Sequence, residues 1–381
     1  MAAVQTPVIA EIGELIRQHP GTISLGQGVA YYGPPPSVQT HIQNFCAALD
    51  NHRYGPVQGI PALIERIQAK LKTQNGIDSV NGRRVVVTAG ANMGFLNALM
   101  AIADPGDEVL LPLPYYFNHE MAVRMLNGVP VAVPTDSHYQ LDLNHIEAAL
   151  TPRTRAMVTI SPNNPTGAVY PEASLRAVNA LCAARGIYHI TDETYENFVY
   201  GAAPHFSPGS IPGSEKHTIS LFSLSKAYGF ASWRIGYMVL PEHLYGAVLK
   251  VQDTNLICPT LIAQHAAIGA LETGASYCQD KLGPLRTVRG RLLESLAPLG
   301  EGCEIPAADG AFYVLIRLRL NADPMQIATR LIREHGVAVI PGSAFGMTDG
   351  CYLRIAFGAL EADTATEGLR RLANGLRALL N

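Results

Sequence analysis

TISLFSLSKAYGFASWRIGYMVL, residues 218–240, sets two apolar runs on either side of a polar, glycine-containing turn that carries one lysine, Lys226. Runs of this length and composition read as buried strands, and a lysine at the end of such a strand is stripped of water. Desolvation lowers an amine's pKa and makes a neutral, nucleophilic nitrogen accessible near pH 7. A lysine snorkelling at a domain surface has the same local pattern, so this stretch by itself leaves both readings open. The other five lysines, Lys70, Lys72, Lys216, Lys250 and Lys281, lie in ordinary polar or helical surroundings.

Outward from this stretch, five more runs of strand character precede it: RRVVVT from 83, EVLLP from 108, VPVAV from 129, AMVTIS from 156 and GIYHIT from 186. With TISLFS and RIGYMVL they make seven, most of them separated by segments of helical pattern. The alternation predicts an α/β fold with a seven-stranded, mainly parallel sheet covered by helices on both faces. EASLRAVNALCAAR, 172–185, places Leu175, Val178, Leu181 and Cys182 on one stripe and stops before Gly186, so it predicts a helix bridging two neighbouring strands. After about residue 290 the pattern changes to AFYVLIRL, VAVI and CYLRIAF with helices over 324–335 and from 363 onward, which reads as a smaller α/β lobe. The expected division is a large domain over 46–290 and a small one formed by 1–45 together with 291–381.

At 381 residues the chain exceeds what one hydrophobic core usually supports, in agreement with two lobes. A formal net charge of −3 without a long basic run argues against nucleic-acid or membrane-surface binding and favours small-molecule partners. The six cysteines show no CxxC or histidine-rich spacing, so neither a metal site nor a disulfide framework is expected. Glu11 and Glu14 stand where a signal peptide would be apolar, and no apolar stretch has the length of a membrane span. A cytoplasmic location is the expectation.

Four further segments stand just after strands, where a ligand site needs them. In SPNNPTGAVY, 161–170, Asn164 follows a strand at its carboxyl end, where doubly wound sheets place ligands, although Asn-Pro-Thr-Gly is also an ordinary turn. In TDETYENF, Asp192 follows GIYHIT with Tyr195 three residues on; a helix cap is the simpler role for such an aspartate. TAGANMGFLNAL turns from strand to helix at Gly90, Ala91 and Asn92, presenting backbone N–H groups to an anion. PLPYYFNHEM places Tyr115 and Tyr116 after EVLLP, where one ring is able to stack on a flat heterocycle. Near the end, CYLRIAFG carries Arg354 inside an apolar strand, and a buried guanidinium demands an anion such as a substrate carboxylate.

NNPTG, DETY, SLSK and the trailing WR, in this order, resemble the class I/II aminotransferases of the fold-type I pyridoxal phosphate enzymes, and LGQGVAYYGPP with RYGPVQGIPALIERI is similar to their N-terminal region. The resemblance covers nearly the whole chain. It implies pyridoxal 5'-phosphate as cofactor, joined as an imine to Lys226, with Asp192 pairing the ring nitrogen and Tyr195 and Asn164 reaching the ring hydroxyl oxygen. Ser223, Arg234 and the turn at Gly90, Ala91 and Asn92 would hold the phosphate, with Tyr116 stacked on the ring. Arg354 would take the α-carboxylate, Gly28 would line the substrate site, and Tyr54 would reach the phosphate of the partner in a homodimer with shared sites. Ala91 and Asn92 stand where small hydroxyl residues are frequent, Tyr116 where tryptophan or phenylalanine is common, and Ser232 where glycine is frequent.

The implied reaction is a ping-pong exchange of an amino group between an L-amino acid and a 2-oxo acid, with Lys226 also acting as general base. A β-eliminating C–S lyase and a non-catalytic protein on the same scaffold remain alternatives at this stage. Tyr31, Tyr32, Tyr115 and Tyr116 are candidates for favouring aromatic substrates, and each is equally suited to packing.

Overall fold

A computed structural model describes residues 4–202 and 204–380. All seven apolar runs become strands of one sheet: β1 (Arg83–Thr88), β2 (Glu108–Pro112), β3 (Val129–Val133), β4 (Thr154–Ile160), β5 (Tyr188–Asp192), β6 (Thr218–Ser223) and β7 (Gly236–Pro241). Their spatial order is β1-β7-β6-β5-β4-β2-β3. Every pair is parallel except those of β7, which runs against both β1 and β6. The near-continuous burial of β2, β4, β5, β6 and β7 matches a sheet covered on both faces.

This topology brings the distant segments to one edge. Gly90 follows β1, Tyr116 follows β2, Asn164 follows β4, and Asp192 and Ser223 are the last residues of β5 and β6. Because β7 runs the other way it begins at that same edge, two residues after Arg234.

The helix Glu172–Arg185 buries Leu175, Val178, Asn179 and Cys182 and ends at Gly186, whose φ of 66° is left-handed. It joins β4 to β5, which pair in parallel with Ala156 opposite Tyr188. A buried polar cluster pins it there: Asn179 Nδ2 lies 3.0 Å from His189 Nδ1, and His189 Nε2 lies 2.8 Å from Thr159 Oγ1. Burial pushes the His189 imidazole down to about 3, so it is neutral. The amide donates to Nδ1, and Nε2–H donates to the threonine.

The second sheet is antiparallel and smaller, with β8 (Cys303–Glu304), β9 (Tyr313–Leu318), β10 (Ile340–Pro341) and β11 (Cys351–Ala356) in the order β10-β11-β9-β8. Helices Pro324–His335 and Ala362–Leu380 accompany it. The N-terminal segment is stitched to this unit: Ile23 and Ser24 pair in parallel with Val337 and Ala338. The Leu25 amide donates to the Ala338 carbonyl at 2.8 Å, and its carbonyl accepts from the Ala356 amide at 2.7 Å. Farther on, Ser37 Oγ donates to the Gly269 carbonyl at 2.8 Å, which ties helix Ser37–Ala47 to helix Leu261–Thr273.

The two sheets meet at Gly167 of the Asn-Pro-Thr-Gly turn, where a Cβ would lie 2.5 Å from the Tyr313 carbonyl oxygen. A similarly close approach occurs at Gly236, where a Cβ would meet the Phe222 carbonyl at 2.6 Å and the Gly90 and Ala91 backbones at 2.9 and 3.0 Å. Gly236→Ala is therefore expected to lower stability by roughly 1–3 kcal/mol, the range for overpacking against atoms that cannot yield. Urea unfolding checks this against wild type, and an unchanged midpoint contradicts it.

Candidate active site

Eleven of the residues singled out in the sequence line one cavity of about 310 Å³: Gly28, Ala91, Asn92, Tyr116, Asn164, Asp192, Tyr195, Ser223, Lys226, Arg234 and Arg354. Gly90 does not line it but stands behind it, since a Cβ there would fall 2.4 Å from Arg234 Nη2. Tyr54 lies outside the cavity and is 82% exposed.

Lys226 sits in the one-turn helix Leu224–Ala227 that directly continues β6, and its Nζ donates to the Gly28 carbonyl. Burial, with the nearby positive charges of Arg354 and Arg234, lowers its pKa to about 8; Asp192 pulls the other way. Tyr32, one of the tyrosines considered for substrate contact, instead donates toward the Lys226 carbonyl at 3.2 Å and the Ala227 carbonyl at 3.3 Å, bracing this turn from behind. Tyr115 likewise stays out of the cavity, its ring packed against Gly346.

Asp192 closes β5. Burial works against its ionisation, but His119 and the Thr194 N–H outweigh it and hold the carboxyl below its usual value. The His119 Nε2 contact to Oδ2 is 3.4 Å, and the Thr194 amide donates to Oδ1 at 3.0 Å. The cap-like turn expected for this aspartate is thus present, and a second donor is added to it. His119 is stacked on Phe95 with centroids 3.9 Å apart, and its Nδ1 has no partner among the described residues.

Arg354, 2% exposed, is held by neutral groups alone: Nη1 donates to Asn164 Oδ1 at 2.9 Å and Nη2 to the Gly26 carbonyl at 2.6 Å. Its Cζ lies 4.6 Å from the Tyr313 ring centroid and 5.0 Å from that of Phe345. Nε is buried with no partner, and desolvation lowers the pKa of the group. A guanidinium in this condition is a ready receptor for a carboxylate.

Across the cavity Arg234, in a left-handed conformation with φ 52°, donates from Nη1 to the Ala231 carbonyl at 2.9 Å. It stands beside Ser223, Ser225 and the amino end of helix Gly90–Ile102 in the same cavity wall, a set of donors suited to an anion. Asn118 Nδ2 donates to the Tyr116 hydroxyl at 2.8 Å, fixing that ring in the wall.

Sequence reasoning did not single out His119, Tyr313, Ile9, Val29, Phe117 or the Gly26 carbonyl. Tyr313 is joined to Tyr195 by a hydroxyl–hydroxyl hydrogen bond of 2.7 Å. Among the described residues no group of three or more His, Cys, Asp or Glu is placed to hold a metal ion, and no helix is long and apolar enough to cross a membrane.

The family model for aminotransferase class I and II matches residues 20–372. This chain belongs to that family and is an aminotransferase. It is 33% identical to an aromatic aminotransferase of Arabidopsis thaliana over 98% of this chain and 95% of the relative. It is 36% identical to the aspartate/prephenate aminotransferase of Thermus thermophilus over 96% and 92% of the two chains. Among solved structures, the aromatic aminotransferase from Pyrococcus horikoshii superposes with a TM-score of 0.88 at 31% identity, covering 97% of this chain and 99% of that one.

The environment of Lys226 has a direct chemical readout. Borohydride trapping of a small aldehyde on Lys226, followed by peptide mass mapping across pH, is expected to rise with a midpoint near pH 8, because the amine is neutral above its lowered pKa. A midpoint above 10, the range of ordinary surface lysines, contradicts the assignment.

Proposed function

We propose that the cavity binds pyridoxal 5'-phosphate and that the enzyme exchanges an amino group between an L-amino acid with a neutral, apolar or aromatic side chain and a 2-oxo acid. The observation that carries this reading is the placement of an amine with a pKa of about 8 between a carboxylate kept ionised and a guanidinium with no anionic partner. The residues fit the cofactor. Lys226 offers a nucleophile for its aldehyde, Asp192 a negative charge for its ring nitrogen, and Tyr116 a face for its ring. Tyr195 and Asn164 offer polar groups for its ring oxygen, and Arg234 with Ser223, Ser225, Ala91 and Asn92 offers donors for its phosphate.

When bound, the cofactor supplies an electron sink that acidifies the Cα–H of the amino acid. The chain's residues do the rest. Arg354 binds the α-carboxylate and so fixes which Cα bond faces Lys226. Lys226 Nζ would take the Cα proton as general base and, as general acid, deliver it to the carbon of the cofactor that carried the amino group, two roles that a pKa of about 8 permits near neutral pH. Donor and acceptor use the same cavity in turn, giving ping-pong kinetics. Asp192, held ionised, would favour a positive charge on the ring nitrogen.

The substrate class follows from the cavity's charges. Besides Lys226, Arg234 and Arg354 the described lining has no further lysine, arginine or histidine, whereas Ile9, Val29, Phe117 and Tyr313 present apolar surface. A second carboxylate on the substrate would lie in this space without a partner. The relative from Arabidopsis is named an aromatic aminotransferase, whereas that from Thermus thermophilus is named for aspartate and prephenate, so the choice rests on the cavity's charges.

The wider proposal is a cytoplasmic homodimer with shared sites and two lobes divided as expected from the sequence, except that helix Ser37–Ala47 goes with the large lobe, where Ser37 bonds Gly269. Six free cysteines, four of them buried, suit a reducing compartment. Tyr54, as exposed as Leu49, lines no part of its own protomer's cavity, as service to a partner's phosphate requires.

Lys226→Ala is expected to abolish both the visible absorbance of the cofactor-loaded protein and turnover; retained activity overturns the central assignment. Asp192→Asn is expected to keep cofactor while transamination falls about a thousandfold, as loss of an attraction of about 4 kcal/mol implies. Single-turnover spectra with a panel of amino acids test the substrate class. Phenylalanine, methionine and leucine are expected to exceed aspartate and glutamate roughly tenfold or more in kcat/KM. The reverse ranking means that a cation from outside this protomer completes the site, and release of ammonia with pyruvate would identify elimination instead.

A further inference from the structure

We propose that Tyr313, on the second sheet, is a positioning residue that donates its hydroxyl proton to Tyr195 and so aims the Tyr195 proton at the ring oxygen of the cofactor. The inference rests on the cofactor reading above and goes beyond it. The two phenol oxygens are 2.7 Å apart, both side chains are buried, and both line the cavity. Neither hydroxyl has another hydrogen-bond partner among the described residues. Two hydroxyls carry two protons, and the bond between them uses one. The other must go to something in the cavity. When Tyr195 gives its proton to a ligand oxygen, Tyr313 is the donor left to satisfy Tyr195.

Tyr313 is built to stay in this role. Its place on β9 is set by pairing with β11, Tyr313 opposite Ala356 and Leu315 opposite Arg354. The Arg354 guanidinium lies over its ring at 4.6 Å, and the Tyr195 and Phe312 rings pack on it at 5.5 and 5.0 Å. Gly28 leaves the hydroxyl its room, since a Cβ there would sit 2.2 Å from the oxygen. Burial pushes both phenols up, and the Arg354 charge pulls against it in both. One phenol thus touches both the group assigned to the cofactor oxygen and the group assigned to the substrate carboxylate.

The test uses cofactor-loaded protein and reads the pH titration of the visible absorbance of the lysine-bound cofactor. The negative charge of the ring oxygen is least compensated once the lysine linkage has lost its proton. A donor aimed at that oxygen favours the deprotonated form and keeps the titration midpoint low. Tyr313→Phe, which keeps the ring over Arg354, is expected to raise the midpoint by roughly half to one pH unit. The same substitution on a Tyr195→Phe background is expected to shift nothing, because the proton being aimed is gone. The KM for the amino acid is expected to change less than about twofold while kcat falls several-fold. A wild-type midpoint in Tyr313→Phe, or an equal shift with Tyr195 absent, overturns the proposal, and a lower Tm without a midpoint shift marks a purely structural tyrosine. Failure of the wild type to take up cofactor on Lys226 instead overturns the cofactor reading, and this inference with it.

Discussion

The cavity holds more positive than negative charge, and the rest of the site is arranged around that imbalance. Lys226, Arg234 and Arg354 line it, and Asp192 is the sole carboxylate among its described lining residues. Away from bulk water such an excess is less well screened, so the group able to lose its charge gives up its proton more readily. That group is Lys226, whose proton is weakened by burial and by the two arginines. The arginines themselves remain charged at any accessible pH. Their demand for anions is met at one end by the geometry of a phosphate cradle and at the other by the unpaired face of Arg354.

The fold supplies these charges from strand ends rather than from loops free to move. The end of β5 contributes Asp192, the end of β6 leads into Lys226, and the reversal of β7 places Arg234 at the same edge. Closing the cavity then depends on backbone approaching backbone or side chain without a Cβ between them. Gly28 gives the Tyr313 hydroxyl its space, and Gly236 lets β7 pass the start of the Gly90 helix. The stretch around Gly26 and Gly28 has a second use: its carbonyls accept from Arg354 and Lys226. Because Leu25 is bonded to both Ala338 and Ala356, those carbonyls are carried by the second sheet rather than by the first.

Much of this was legible in the chain. Seven apolar runs gave seven strands, the Glu172–Arg185 stripe gave a helix ended by Gly186, and eleven named residues converged on one cavity. These features are written locally, in periodicity and in residues that suit strand ends. His119 carries no such mark, because a histidine on a helix reads the same whether it faces solvent or the carboxylate of a strand 73 positions away; the pairing exists only once β2 and β5 lie in one sheet. Tyr313 inside AFYVLIRL looks like one more core aromatic, and its hydroxyl acquires meaning only beside Tyr195, 118 positions earlier. Backbone carbonyls such as that of Gly26 have no sequence signature at all. Tyr32 shows the reverse case, a tyrosine near the entrance motif that proves to brace the lysine turn rather than line the cavity.

Desolvation moves acids and amines in opposite directions, upward for a carboxyl and downward for an ammonium, yet both Asp192 and Lys226 are lowered. Burial therefore accounts for the lysine but not for the aspartate. The difference lies in what each group touches. Asp192 has two donors, the His119 ring and the Thr194 amide, which keep its charge where water cannot. Lys226 has one carbonyl partner and two cationic neighbours, which make its charge expendable. The same cavity thus holds one group kept ionised and another poised to change state near neutrality, and that pairing is what acid–base work at a carbon atom requires.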